Sequence, residues 1–314
     1  MKQMQPLITV LIPVYNVEKF VKSAILSITN QTYKNLQIIV IDDCSTDNTY
    51  NTVLDLSKLD SRILLLKNKK NLKIVKSLNK ALSFAKGDYI ARMDGDDLCS
   101  KDRLEKQLNF LLLNPEYSLI GSSVLTIDED DKVIGKQKMP NNWSNIEKIV
   151  QYSTPVLHIW LAKKEVYTKL GGYREIPGAE DYDFILRMHS MGYQYTNLKT
   201  FDYSVRLRNG NTNSTMGFKQ RLMSNYVLDL FKQRNERIED DFSEKNLEDY
   251  LDKFSKYKSG YDKSNFYLNI AFKHKANNNN NKMFFYLFLS CLVSRYQFQY
   301  LLRRMIFKFY MKNC

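Results

Sequence analysis

Neither of the common glycine-rich phosphate loops occurs in this 314-residue chain. No Gly-x-Gly-x-x-Gly follows the first strand-like run and no Gly-x-x-x-x-Gly-Lys-Ser/Thr occurs anywhere, which excludes a dinucleotide-binding Rossmann site and a P-loop ATPase. Cysteine is scarce: Cys44, Cys99, Cys291 and Cys314 show no paired spacing. Neither a disulfide framework nor a zinc site is expected, and a reducing compartment fits. No stretch is long and apolar enough to span a bilayer. A signal peptide is not expected either, because residues 1–6 are polar and the apolar run 7–14 is short and broken by Thr9 and Pro13. Lys and Arg outnumber Asp and Glu by 47 to 34, a net charge of +13. This implies an anionic partner: nucleic acid, phospholipid or a phosphorylated substrate. No helix-turn-helix, zinc or RNA-binding motif supports nucleic acid.

Against these absences stands Tyr89-Ile90-Ala91-Arg92-Met93-Asp94-Gly95-Asp96-Asp97-Leu98, a short apolar strand that runs into three carboxylates. An unpaired buried carboxylate costs several kcal/mol, so this strand must end in solvent, beside a cation, or both. Gly95 lets the backbone turn tightly enough for Asp94 and Asp96 to face one point. Two hard oxygen ligands with a diphosphate would hold Mg²⁺ or Mn²⁺, and the alternative is an acidic, solvated turn.

The surrounding pattern alternates strand and helix. Strands are expected at 7–12 (closed by Pro13), 36–41 (closed by Asp42-Asp43), 63–66 and 89–93. Helices are expected at about 17–30, after Ser45-Thr46-Asp47, at 78–85 before Gly87 as a C-terminal cap, and at 101–113. Strand, helix, strand in this order predicts a mostly parallel α/β sheet covered on both faces. In such sheets ligands bind at the carboxyl ends of the strands. Pro13-Val14-Tyr15-Asn16, Asp42-Asp43 and Asp94-Gly95-Asp96-Asp97 all fall at that end, where acids would repel each other without a compensating cation or donors.

Further on, 118–127 reads as a strand and Asp128-Glu129-Asp130-Asp131 as a solvated hairpin tip before Val133-Ile134. His158, one of only three histidines, sits beside Trp160 and reads as a packed bystander or an acceptor-side residue. Glu180 and Asp181 arrive on a glycine-containing loop at the start of a helix that ends at Gly192. Capping with dipole compensation and catalysis are both open for them on local grounds.

The chain from residue 6 to about 205 resembles glycosyltransferase family 2, an inverting group with the GT-A fold. The resemblance rests on Val10-Leu11-Ile12-Pro13-Val14-Tyr15-Asn16, Ser27-Ile28-Thr29-Asn30-Gln31-Thr32-Tyr33 and Ile39-Val40-Ile41-Asp42-Asp43-Cys44-Ser45-Thr46-Asp47. It continues through 81–103 with its Asp-Gly-Asp-Asp, and through Gly171-Gly172-Tyr173 to Glu180-Asp181 and Leu186-Arg187. It implies a catalytic domain over 1–205, with a nucleotide half to about 115 and an acceptor half at about 116–205. Residues 206–314 would be a mainly helical extension. It also implies that Pro13 and Tyr15 line the nucleotide pocket, that Asp43 or Asp42 bonds the base, usually uracil, and that Lys73 lies near the nucleotide. Asp94 and Asp96 would form the Asp-x-Asp element, with Asp96 the stronger ligand for Mn²⁺ or Mg²⁺, and Asp181 would be the general base.

The implied reaction moves a hexosyl or N-acetylhexosaminyl group from a nucleotide-sugar, usually a UDP-sugar, to a hydroxyl of a glycan or lipid-linked acceptor. Glu180 would raise the pKa of Asp181 by like-charge repulsion. The competing readings are an inactive sugar-nucleotide-binding module and a nucleotidyltransferase. Two departures stand out: Cys44, where many members have glycine, and Val205-Arg206-Leu207-Arg208-Asn209, where relatives often carry a histidine.

Helices are expected at 218–234 and 246–257, with an asparagine-rich break at 276–281. Residues 282–314 contain no acid and carry Lys282, Arg295, Arg303, Arg304, Lys308 and Lys312 among aromatic and aliphatic residues. Such a helix lies on an anionic membrane surface, here the cytoplasmic face, or packs on the domain with an exposed basic edge. Oligomeric state is not legible.

Overall fold

A computed structural model describes residues 5–208 and 212–312. The first part of the chain, to Leu113, holds β1 (Ile8–Val14), α1 (Val21–Thr29), β2 (Leu36–Asp42), α2 (Thr49–Leu59), β3 (Ile63–Lys67), α3 (Lys73–Ser83), β4 (Tyr89–Arg92), β5 (Leu98–Cys99) and α4 (Arg103–Leu113). It is followed by β6 (Tyr117–Ile127), β7 (Val133–Gln137), α5 (Trp143–Ile149), β8 (Leu161–Lys163), α6 (Lys164–Leu170), α7 (Glu180–Ser190) and β9 (Gln194–Arg206). The rest is helical: α8 (Thr212–Arg237), α9 (Glu244–Ser255), α10 (Lys258–Ala276), α11 (Asn280–Val293) and α12 (Arg295–Lys312).

The strands form one sheet in the order β3-β2-β1-β4-β8-β6-β9-β5, with β7 paired to β6. The first four are parallel, as the alternating pattern requires, and β8 enters antiparallel to β4. Apolar residues on both faces of β1 and β2 explain the unbroken hydrophobic runs. Leu11, Ile39 and Ile41 face a core shared with α3, α7 and α8. Val10, Ile12, Ile38 and Val40 face a second core with α1 and α4. Met223, Val227 and Leu230 of α8 belong to the first core, so hydrophobic packing continues across residue 205.

Pro13 does not close β1, which runs to Val14. β4 pairs with β1 only as far as Leu11↔Arg92, so the end of β1 has a ladder partner on one side alone, where a missing N–H costs least. The 13-residue β9 has no counterpart in the sequence reading. Its polar residues hide a strand that pairs with β6 along most of its length.

The last helix has two faces. Tyr296 and Gln297 are buried, Arg303 Nη1 donates to Asn225 Oδ1 on α8 at 2.7 Å, and the Arg221 guanidinium stacks 3.5 Å from the Tyr300 ring centre. Phe298, Leu302, Met305 and Phe309 recur at the i, i+4, i+7, i+11 positions of a helical stripe and are exposed. On α11, Phe284, Phe285, Phe288 and Leu292 are exposed as well. The helix thus packs on the domain, and its outer edge carries both the apolar stripe and the exposed Arg304 and Lys308. Among the described residues no helix is long and apolar enough to cross a membrane.

Gly87 is not a helix cap. α3 ends at Ser83, and a Cβ on Gly87 would stand 2.6 Å from Thr9 N and 2.7 Å from Leu7 O. The glycine lets the approach to β4 run against the β1 backbone, which cannot give way. Gly87→Ala is expected to lower stability by about 1–3 kcal/mol, read as a lower urea midpoint with an unchanged m-value.

Candidate active site

Three of the predicted polar clusters meet at the carboxyl edge of β1, β2 and β4. Asp42 ends β2 opposite Val14, and the Asp43 N–H donates to Val14 O at 2.9 Å. Asp43 is spent on the chain itself: it accepts from Asn68 Nδ2 and the main-chain N–H groups of Leu72 and Lys73 at 2.7–2.8 Å. It thereby fixes the loop into α3, where Lys73 sits at φ +70° with an exposed side chain. Asp42 Oδ2 accepts from Ser45 N at 3.2 Å, while its buried Oδ1 has no partner. Tyr15 is 45% exposed beside this edge and Pro13 is half-buried. Cys44 holds φ +67°, a left-handed conformation that explains a glycine preference at this position.

Gly95 serves close packing rather than a left-handed turn. Its Cβ would come 2.5 Å from Val14 Cγ1, so the Asp-Gly-Asp turn lies directly on the end of β1. The flanking acids then diverge. Asp94 Oδ2 is 2.8 Å from His158 Nε2, and its Oδ1 lies 3.6 Å from Arg92 Nε. Asp96 Oδ2 accepts from Arg208 Nε at 2.6 Å, and its main-chain carbonyl accepts from Arg206 Nε at 2.7 Å. Asp97 Oδ1 accepts the Arg206 main-chain N–H at 2.7 Å.

The acids at the start of α7 turn toward the same place. Glu180 Oε1 lies 3.3 Å from Arg92 Nη1, and its Oε2 accepts from Gly178 N at 2.7 Å. Asp181 Oδ2 lies 3.7 Å from His158 Nδ1, and its Oδ1 accepts from Tyr182 N at 2.7 Å. One imidazole therefore stands between Asp94 and Asp181. Arg103, fully buried, donates from Nη2 to Arg92 O at 2.9 Å and to Ile159 O at 2.6 Å. It holds the end of β4 against the segment that carries His158.

The electrostatics follow from these pairings. Burial alone would push Asp94 up, but the charges of His158 and Arg92 outweigh it and hold the carboxyl well below its usual range. Burial would lower His158, yet Asp94 opposite raises it to about 10, so the ring is an imidazolium at neutral pH. Asp181 is also lowered, because the nearby His158 and the charge of Arg92 overcome desolvation. This reverses the expected role of Glu180. Glu180 points at Arg92, and it is Glu180 whose own pKa rises, through burial and then the neighbouring Asp181 against the pull of Arg92. Asp96 is raised by burial and by Asp94 against Arg208. Asp97 is pushed well above the usual range by burial, Asp94 and Asp96.

His158, Arg92, Arg206 and Arg208 are the site residues that sequence reasoning passed over or left unassigned. Arg92 carried a signal: a charged residue inside a short buried strand, two places before an acid, needs a partner. His158 carried none, since it lies 64 residues from Asp94 and 23 from Asp181. Arg206 also reaches the hairpin tip, where it meets Asp131 and donates to Asp128 O, while Glu129 and Asp130 remain exposed. Asn209 lies outside the described residues.

With a folded-state pKa of about 10 against an ordinary 6.5, His158 contributes stability that is complete below pH 6.5 and lost as pH rises toward 10. The melting temperature of the wild-type chain is expected to fall between pH 7 and 9.5, and that of His158→Gln to fall less. Parallel melting curves would contradict the imidazolium assignment.

Among known proteins, the model of glycosyl transferase family 2 matches residues 9–171. The O-antigen biosynthesis glycosyltransferase WbnJ of Escherichia coli is 32% identical over 215 residues, 66% of this chain and 82% of WbnJ. In structure, residues 1–349 of S. aureus TarS in complex with UDP-GlcNAc superpose with a TM-score of 0.62 at 18% identity, covering 98% of this chain and 92% of that one. The mannosyltransferase PcManGT from Pyrobaculum calidifontis, in complex with GDP-Man and Mn²⁺, gives 0.55 at 18% identity, covering 75% and 65%. The family match spans half of the chain and contains β1, β2 and the Asp94-Gly95-Asp96-Asp97 turn. The chain belongs to glycosyl transferase family 2 and is a glycosyltransferase.

Proposed function

We propose that the protein transfers a sugar from a nucleotide-sugar, a UDP-sugar first among candidates, to a hydroxyl of a glycan or lipid-linked glycan in bacterial-type surface polysaccharide synthesis, with inversion at the anomeric carbon. The observation that carries this reading is the single imidazole of His158 between Asp94 and Asp181. That the acid of the Asp-x-Asp turn and the acid of α7 share this imidazole supports a single site for both. UDP-GlcNAc bound to TarS and GDP-Man bound to PcManGT support a nucleotide-sugar donor.

In this reading the nucleotide lies along the end of β1, with Pro13 and Tyr15 beside it and Lys73 near its rim. Asp43 shapes the pocket through the 68–73 loop. The unpartnered Oδ1 of Asp42 is the acceptor left for a base N–H. Asp181, ionised at neutral pH, takes the proton from the acceptor hydroxyl as that oxygen attacks the anomeric carbon. His158 holds Asp181 ionised and in place, Arg92 does the same for Asp94, and Arg92 also holds Glu180 in position.

For a divalent ion, Mn²⁺ or Mg²⁺, the donor set fits in part. Asp96 is partly exposed and offers hard carboxylate oxygens, whereas both oxygens of Asp94 face His158 and Arg92. Among the described residues no three His, Cys, Asp or Glu side chains converge on one point. Asp96 would thus be the chief protein ligand, Asp94 a lesser one, and the donor diphosphate with water would complete the shell. Such an ion supplies neutralisation of the leaving diphosphate.

The acceptor end bears on the helical region. The exposed stripe of Phe298, Leu302, Met305 and Phe309 with Arg304 and Lys308 beside it, and no acid after residue 281, suits the surface of an anionic bilayer. Each cation near such a surface gains about 1 kcal/mol. The cytoplasmic face is the side where nucleotide-sugars are supplied.

Two experiments test this. With a panel of UDP-sugars and Mn²⁺, Asp181→Asn and Asp96→Ala are each expected to lose about 100-fold or more in transfer rate while remaining folded. Wild-type rates in both variants would refute the assignment. The triple change Phe298→Ser, Leu302→Ser and Phe309→Ser is expected to abolish co-sedimentation with phosphatidylglycerol vesicles and leave transfer to a soluble acceptor unchanged. Undiminished vesicle binding would rule out this face.

A further inference from the structure

On and around α7, Arg92, Arg174 and Arg187 each meet an acid. Two other arginines beside that helix do not. Arg221 on α8 and Arg303 on α12 are half-buried, and among the described residues neither forms an ion pair. They are brought together by the register of their helices: Phe218 meets Tyr296 with ring centres 5.1 Å apart, Arg221 stacks 3.5 Å from the Tyr300 ring centre, and Arg303 Nη1 donates to Asn225 Oδ1 at 2.7 Å. Arg304, exposed, donates to the hydroxyl of the same Tyr300 at 2.7 Å. Arg221 makes no hydrogen bond from its guanidinium, and its Nε is buried. Burial lowers the pKa of Arg303, and the charge of Arg221 lowers it further against Tyr182, Asp229 and Tyr250. Asp229 is itself 3.7 Å from Lys232. Like charges gathered in this way cost stability unless an anion meets them.

The cluster adjoins the start of α7. Gln220, next to Arg221, donates from Nε2 to Gly178 O at 3.2 Å, in the loop that delivers Glu180 and Asp181. Tyr182, the residue after Asp181, donates to Val150 O at 2.6 Å and lies within reach of the charge of Arg303. The opposite face of α12 carries the exposed Phe298, Leu302 and Met305. The arginines therefore stand between an apolar outer face and the acid assigned as the base.

We propose that Arg221 and Arg303, with Arg304 beside them, bind the diphosphate of a lipid-linked acceptor, whose lipid lies along the outer face of α12 and whose sugar reaches toward Asp181. This deepens the lipid-linked acceptor reading and rests on it. The order lipid, diphosphate, sugar in such a molecule is the order apolar stripe, arginines, carboxylate in the protein. A planar guanidinium matches two phosphate oxygens at once, and charge-assisted bonds of this kind are about twice as strong as neutral ones. A diphosphate ester carries a charge on each phosphate, so it suits paired cations better than the single phosphodiester of a bilayer lipid does.

The test is calorimetry of geranyl diphosphate, with geraniol as the phosphate-free control, on the full chain in saturating UDP and Mg²⁺, which fill the donor side. The wild type is expected to bind the diphosphate and not the alcohol. Arg221→Gln and Arg303→Gln, the latter keeping a donor for Asn225, are each expected to lose about 10- to 100-fold, with Arg221→Lys and Arg303→Lys in between. If a Gln variant melts well below the wild type, its Lys counterpart carries the comparison. Equal binding of diphosphate and alcohol overturns the proposal, as does unchanged affinity in the variants. So does a result in which the Gln variants keep the diphosphate affinity and lose only co-sedimentation with phosphatidylglycerol vesicles, since the arginines then serve bilayer headgroups. A wild type that binds UDP but not geranyl diphosphate overturns this proposal and leaves the donor reading standing. If UDP does not bind, the donor reading fails, and the same titration without UDP decides this site.

Discussion

Five carboxylates crowded at one sheet edge must be neutralised before the sheet can close around them, and the structure depends on how that is done. Like charges in a partly buried cleft raise each other's pKa and cost stability unless cations or donors meet them. Here the partners are drawn from three segments. Arg92 ends β4, the strand that leads into the Asp-x-Asp turn, His158 precedes β8, and Arg206 and Arg208 lie at and just beyond the end of β9. The imidazolium between Asp94 and Asp181 is the link that makes one site of two acidic clusters.

This arrangement changes what the acids are for. A cluster such as Asp-Gly-Asp-Asp suggests a metal because nothing in the local sequence balances it. In the folded chain Asp94 is already paired and Asp97 is pushed toward its neutral form, which leaves Asp96 as the member poised between Arg208 and any incoming cation. The depressed pKa of Asp181 has a similar origin. Its neighbour in sequence, Glu180, turns to Arg92, so the group that sets its charge is a histidine 23 residues away.

The scaffold serves the same end. Arg103 bonds two main-chain carbonyls, one from β4 and one next to His158, and so fixes the spacing of the two segments that meet over Asp94. Tyr203 accepts the Asp94 main-chain N–H at 3.0 Å, which joins β9 to the same turn. Behind the site, α8 packs on α7, and α12 packs on α8 while showing an apolar face outward.

The parallel half of the sheet, the helices that cover it and the edge where the polar clusters fall were all legible in the sequence. They follow from local periodicity and from the topology rules that strand-helix alternation imposes. Asp42, Asp94, Asp96 and Asp181 were found as candidates because acids at strand ends and helix starts stand out against an apolar pattern. The rest was decided only by tertiary structure. β9 escaped because its polar residues mask a strand whose pairing energy comes from β6, a partner more than 60 residues earlier. His158 looked like a packed residue, and no local feature could show that it faces two carboxylates. The direction in which the pKa of Asp181 moves depends on distances of 3–4 Å between segments remote in sequence, and Coulomb energy at that range is set by folding, not by spacing along the chain.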